Sequence, residues 1–232
     1  MSYKIFGQSR DTALIFLVAA IVFLLSLWPM LRLASEIIAP NDQLSDSALR
    51  SALSSSSTWI ATRNSLITGL GGTVLAVFMG SAVALLVSLT NIRGRGIFVL
   101  LFVVPLLIAP QVTALAWLQL FGPASPFLKL IGMAPELGSR NPLYSTTGII
   151  ALLGIQYAPL VFLIVRAGLR KLPRELVEAA LSSGAGKWQV TGTIILPLMT
   201  PSVIGASALA FVSCVGNFGI PAFLGERNGL RI

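Results

Sequence analysis

Apolar residues along this chain run in long blocks and do not alternate with polar ones. Five blocks stand out, near Thr12–Leu33, Ser65–Thr90, Ile97–Phe121, Thr147–Val165 and Pro201–Leu224. A helix needs roughly 20 apolar residues to cross a bilayer, and each block is close to that length or beyond it. Their interiors hold no Asp, Glu, Lys or Arg. The pattern predicts one all-α polytopic transmembrane bundle over residues 1–232, with about five spans. Between the first two blocks, Ala39–Thr62 is polar and rich in serine. Leu44, Ala48, Ala52 and Leu53 sit there at helical spacing, which fits a short amphipathic surface helix and a disordered loop equally well. Segment Gly122–Thr146 carries Pro123, Pro126, Pro135 and Pro142 and reads as a loop with one apolar turn, Phe127 to Ile131.

The blocks are not uniform. Gly72, Ala76, Gly80, Ala84 and Ser88 recur every fourth residue in the second, and Ser202, Ala206, Ala210 and Cys214 do so in the fifth. Small residues at that spacing let helix backbones approach closely, in a solvent that gives no hydrophobic drive to helix association. They are read as packing stripes, within the chain or across a dimer. The third block holds Pro105 and Pro110, then Gln111 and Gln119; the fourth holds Gln156 and Pro159. A proline inside a span frees a carbonyl and kinks the helix, which is tolerated where protein or a water-filled cavity satisfies it. The kinks serve either plain architecture or a pathway; in the second case Gln111, Gln119, Gln156 and Asn217 are the candidate polar lining.

Composition supports lipid as the solvent. The chain is 55% hydrophobic and 10% charged, with a mean hydropathy of +0.88, where soluble domains carry about a quarter charged residues. The net charge of +8 comes from basic residues flanking the apolar blocks, as orientation signals do, and does not call for nucleic acid. With the N-terminus inside, nine basic residues fall on the cytoplasmic side and seven outside, and the dense clusters at Arg93–Arg95 and 166–187 both lie inside. Five spans then leave the C-terminus outside. The first block has no A-x-A-like cleavage site and reads as a retained anchor. Histidine is absent and Cys214 is the sole cysteine, so the sequence supplies no internal disulfide, no metal cluster and no His-based catalytic centre.

The 166–200 loop carries most of the remaining information. Arg166-Ala-Gly-Leu-Arg-Lys171 is a basic membrane exit. Pro173 suits the first turn of a helix, with Glu175 and Glu178 near its positive end. Leu172, Leu176, Ala179, Ala180 and Leu181 form a mostly apolar face, and the run breaks at Ser182-Ser-Gly-Ala-Gly186. A second helical piece, Lys187–Ile195, is expected to end before Pro197. Gly184 at the elbow permits a left-handed turn or a close backbone approach. An apolar elbow in water needs a partner or a lipid surface. Gly184-Ala-Gly-Lys187 is not the tail of a P-loop, because Leu181 and Trp188 stand where that motif needs Gly and Ser or Thr.

Glu178, Ala179, Ala180, Gly184, Ile194, Leu196 and Pro197 spell E-A-A-x3-G-x9-I-x-L-P without a mismatch. This resembles the signature loop of inner-membrane permeases in bacterial ABC importers fed by a soluble binding protein. The resemblance implies a helical bundle of the type I importer permease kind, and a coupling helix at Glu178–Gly184 that slots into a groove on a separate ATPase. It also implies two ATPase subunits, a second permease half and an extracytoplasmic binding protein as partners. ATP hydrolysis and any cofactor then belong to those partners, and the chain is not itself an enzyme.

Pro105–Trp117 and Gly216–Gly225 are similar to segments of ferric-iron uptake permeases, whose relatives move thiamine, polyamines, sulfate, molybdate or phosphonates. The spans offer no hard ligands for Fe³⁺, so coordination of iron would fall to the binding protein. Ferric-type permeases often carry two halves in one chain, and after Asn228–Ile232 a sixth span is expected; an N-terminal half or a truncated product is the reading. An ion-coupled secondary transporter would usually place ionisable residues inside its spans. An intramembrane enzyme would need a nucleophile with a base, or a metal. Neither set is present in the blocks. A purely structural subunit would not require the loop motif.

Overall fold

A computed structural model describes residues 8–32, 53–90, 93–122, 125–132, 141 and 143–225. Of the candidate surface helix, Leu44, Ala48 and Ala52 lie outside the described residues, as do most of the proline-rich loop and the last seven residues; Leu53 is helical, and the end of that polar segment, from Ser56, belongs to a long helix. The chain divides into two units, Met1–Trp59 and Ile60–Ile232. In the first, α1 (Gln8–Val22) continues through a π-helical turn, Phe23–Leu27, and on to Arg32. The stretch Ala13–Arg32 is long and apolar enough to cross a membrane.

The second unit is built from α2 (Ser56–Leu89, which begins just before the boundary), α3 (Arg95–Leu107), α4 (Pro110–Leu120), short α5 (Pro126–Leu130), α6 (Thr146–Arg170), α7 (Arg174–Ser182), α8 (Lys187–Val215) and α9 (Gly219–Gly225). Among the described residues four helices can cross a membrane, or five if the bent pair α3–α4 counts as one. No strand occurs among them. Helix α6 is the most enclosed, with Ile149, Leu152, Leu153, Val161, Phe162 and Val165 at 1% exposure or less. Ser145 caps its start by accepting from Gly148 N at 3.1 Å.

The small-residue stripes lie where helices touch α6 and each other. Ala76, Ala84, Ala206 and Ala210 are fully buried in one cluster with Val161, Phe162 and Val165. A Cβ on Gly80 would lie 2.5 Å from the Ala158 carbonyl oxygen, and one on Gly72 would lie 2.8 Å from Leu153 Cβ and 3.4 Å from Cys214 Sγ. These contacts are within the chain. Close approach replaces the hydrophobic drive that lipid cannot supply.

Two expected spans are corrected. The third is not one kinked helix: α3 and α4 meet at 104°. Pro110 pushes Ala109 out of the helical region, and Ile108 and Ala109 both sit at ψ 135°. Two extended residues turn the chain where a single proline kink would only have bent it. The fifth span does not start at Pro201, and the second helical piece does not stop before Pro197. Helix α8 runs unbroken from Lys187 to Val215. It does so through a π-helical turn, Thr191–Ile195, in which Leu196 N reaches back to Thr191 O. That wider turn accommodates Pro197, which has no N–H to give the Thr193 carbonyl. At its far end α8 stops at Val215, so the block to Leu224 is also broken, and α9 is a separate short helix.

Candidate functional site

Two places bring the candidate residues together. The first is the elbow between α7 and α8. Helix α7 carries Glu178, Ala179 and Ala180 and turns one face to the bundle: Leu172, ahead of it, and Val177 pack against the core cluster. Its end is closed by a pair of backbone bonds, Ala185 N to Ala180 O at 3.1 Å and Gly184 N to Leu181 O at 3.1 Å. This is a Schellman arrangement, and its left-handed residue is Gly184, at φ +89°. Nothing lies within 4 Å of a Cβ built there, so the glycine is needed for backbone conformation and not for room. Glu178, Ala179 and Gly184 are exposed, and Ala180 is half-buried. Leu176 and Leu181 are exposed as well, and Trp188, just past the elbow, is 87% exposed.

The return to the bundle carries Ile194, Leu196 and Pro197. Ile194 is half-buried, while Leu196 and Pro197 are exposed on α8 and Ile195 between them is buried. Trp188 had no role in the sequence reading beyond failing the P-loop test. A tryptophan beside a polar, glycine-rich turn was the available signal, since a Trp left in water is costly unless something covers it.

The second place is where the two helix breaks meet. Gln156, in the middle of α6 and 2% exposed, donates through Nε2 to the carbonyl oxygens of Pro105, at 2.8 Å, and Ile108, at 3.1 Å. These are carbonyls that the α3–α4 break leaves short of donors. Its Oε1 is buried with no partner among the described residues. The next residue, Tyr157, accepts at its hydroxyl from Asn217 Nδ2 at 2.9 Å. Asn217 in turn caps α9, its Oδ1 accepting from Ile220 N at 3.0 Å. Gln111 opens α4 against Gly219, whose Cβ would lie 2.9 Å from the Gln111 amide carbon. Gln111, Gln156 and Asn217 therefore gather at one crossing. Gln119, exposed near the far end of α4, lies apart from them.

Residues 70–232 match the family model described as "Binding-protein-dependent transport system inner membrane component". The chain belongs to this family. It is a multi-pass inner-membrane permease chain. It is 32% identical over 174 residues to a probable ABC transporter permease of Sinorhizobium fredii, covering 72% of this chain and 54% of that one. A molybdenum transport permease of Mycobacterium tuberculosis is 31% identical over 169 residues, 72% of this chain and 62% of that protein. A putative ferric transport permease of Haemophilus influenzae is 24% identical over 222 residues, 94% of this chain but 35% of that one. The chain thus spans a third to two thirds of the length of these curated relatives. Among solved structures, a bacterial ABC transporter that imports the acidic polysaccharide alginate superposes with a TM-score of 0.77 at 19% identity, covering 96% of this chain and 80% of that one. At that identity the likeness establishes the permease fold.

Proposed function

We propose that this chain is the permease component of an ATP-driven importer. Its spans form part of the translocation pathway, and the elbow transmits force from a separate ATPase. The observation that carries the reading is the exposed elbow: Glu178-Ala-Ala180 on α7, a glycine-dependent turn, and Leu176, Leu181 and Trp188 uncovered around it. A rigid helical corner with apolar and aromatic anchors suits a helix-in-groove contact, and Trp residues dominate such interfaces. In this reading ATP hydrolysis lies with the partner, the chain binds no cofactor of its own, and the elbow and N-terminus face the cytoplasm. The complete transporter would add a second permease half or subunit, two ATPase subunits and an extracytoplasmic binding protein.

Closure of the ATPase pair would move the elbow and rock the bundle between inward- and outward-facing states. Gln111, Gln156 and Asn217 mark the stretch of pathway where two broken helices meet; broken helices of this kind line sites in other transporters. The cargo stays at the level of a class. Ferric iron is one candidate, and molybdate is supported at least equally, because relatives named for each are matched. Thiamine, polyamine, sulfate and phosphonate complete the set.

The test is co-purification from detergent of the chain, in its native sequence context, with the ATPase encoded beside it. Wild type should retain the ATPase. Glu178→Arg should lose it, and Trp188→Ala should weaken it by about 2 kcal/mol or more, the loss typical of a hot-spot anchor. Equal capture by all three would remove the docking role and leave Trp188 as a lipid-facing residue.

A further inference from the structure

Beside the elbow, where α2 ends, α3 begins and α6 gives way to α7, lies an open cavity of about 360 Å³. Its lining includes Arg95, Arg170, Ser88 and Glu178, with Leu89 and Leu169 among the apolar residues. Arg95 Nε and Ser88 Oγ are buried and have no hydrogen-bond partner among the described residues. The same holds for Arg166 Nε, one turn before Arg170. Arg166 rests over the Phe162 ring, 5.6 Å from its centroid, and lies close enough to Arg170 and Arg95 for their like charges to interact.

Among the described residues, Arg95, Arg166 and Arg170 therefore crowd one corner, the cavity lining holds one acid, Glu178, and two of the three guanidinium groups keep a buried Nε without a partner. Such a cluster repels itself until an anion enters it. Guanidinium forks match the paired oxygens of a phosphate, and a buried N–H without an acceptor stays costly until one arrives. The wall is amphipathic as well. Leu89, in the lining, is 50% exposed, and the cavity sits at the ends of the membrane-crossing helices α2 and α6. A free phosphate would use the arginines and leave the leucines in water. A lipid would use both, and basic pockets between spans are known to hold lipid headgroups.

We propose that this cavity binds the phosphodiester headgroup of an anionic membrane lipid, held by Arg95, Arg170 and Ser88 with Arg166 behind them. The site does not depend on the docking of an ATPase at the elbow, and its test uses this chain alone. The full chain, purified in detergent, is equilibrated with phosphatidylglycerol or phosphatidylcholine, and retained lipid is read by native mass spectrometry. Wild type should retain phosphatidylglycerol in preference. The preference should fall about fivefold for each arginine neutralised, in Arg95→Gln, Arg170→Gln and the double variant. Lys129→Gln, which removes a charge elsewhere, should leave it unchanged. Arg95→Lys with Arg170→Lys, which keeps the charge, should retain part of it.

Absence of preference in wild type overturns the proposal. So does a folded double variant with the wild-type ratio, or an equal loss in Lys129→Gln. If the double variant does not fold, the single variants decide by the same ratio. Loss of the preference in millimolar inorganic phosphate would assign the site to the free ion and overturn the lipid as its occupant.

Discussion

Replacing Gly80 by alanine is a demanding test of how this bundle is held together. The added Cβ would lie 2.5 Å from the Ala158 carbonyl oxygen, 2.7 Å from Val161 Cβ and 2.9 Å from Phe162 N. Two of these are backbone atoms of α6, so no rotamer change relieves the contact; α2 and α6 must separate. Overpacking of a tight core costs about 1–3 kcal/mol, and a clash with backbone belongs at the upper end. Alanine in place of a mid-helix glycine returns about 1 kcal/mol of helix propensity. The net loss is then about 2 kcal/mol. Gly205, in the middle of α8, is the control: nothing lies within 4 Å of a Cβ there, so Gly205→Ala keeps the propensity gain of about 1 kcal/mol unopposed. The two substitutions are chemically identical and should move stability in opposite directions. In a chain of this size 1 kcal/mol is worth about 2–4 °C, so the thermal midpoint in detergent should fall by about 4–8 °C for Gly80→Ala and rise by about 2–4 °C for Gly205→Ala. Tryptophan fluorescence during heating reads both. A Gly80→Ala midpoint at or above wild type would refute the claim that backbone contact at this stripe holds α2 to α6.

Two other perturbations read the candidate sites. Gly184→Ala forces a side chain into the left-handed region at a cost of about 1–2 kcal/mol, confined to the elbow. Trypsin should then cut after Lys187 several times faster while the thermal midpoint stays near wild type; unchanged cleavage would mean that the turn does not depend on glycine. Gln156→Leu strips the Ile108 carbonyl of its donor, while the Pro105 carbonyl keeps a second donor, Ile108 N at 3.3 Å. Removal of the unpartnered Oε1 offsets part of that loss, leaving a net cost of about 1–2 kcal/mol. A wild-type midpoint in Gln156→Leu would show that the amide does not brace the break.

The spans were legible because a bilayer imposes a length and a composition on any helix that crosses it. The stripe Gly72-Ala76-Gly80-Ala84 was legible because helical spacing puts those residues on one face. The angle at Ile108–Ala109 was not. Pro105 and Pro110 announce a break, but its 104° is set in concert with Gln156, 48 residues further along the chain than Ile108. The course of α8 was misread for the opposite reason. Pro197 looks like a stop, and only a π-helical turn just ahead of it lets the helix pass. Asn217 was picked out as polar lining, yet Asn217 ahead of Gly219-Ile-Pro221 is also a helix start. The structure uses it as that cap and as a donor to Tyr157.

The elbow and the crossing of the two breaks are tied by stiff elements on both sides. Helix α6 leads without interruption from Gln156 to Arg170, and α8 leads from Lys187 to Val215, one residue before the second break. Fifteen helical residues on the first path, Gln156–Arg170, make a rod of about 22 Å, and the 29 residues of the second make one of about 43 Å. In the proposed mechanism a shift of the elbow is therefore delivered to the crossing by two rods at once. The bonds best placed to yield there are few: Gln156 to the α3–α4 break, and Asn217 to Tyr157. Hydrogen bonds worth about 1 kcal/mol each can exchange for others within the free energy an ATPase provides, whereas separating the Gly80–Ala158 contact would expose a packed core. The crossing is the place in this fold where motion is cheap, and the stripe is the place where it is not.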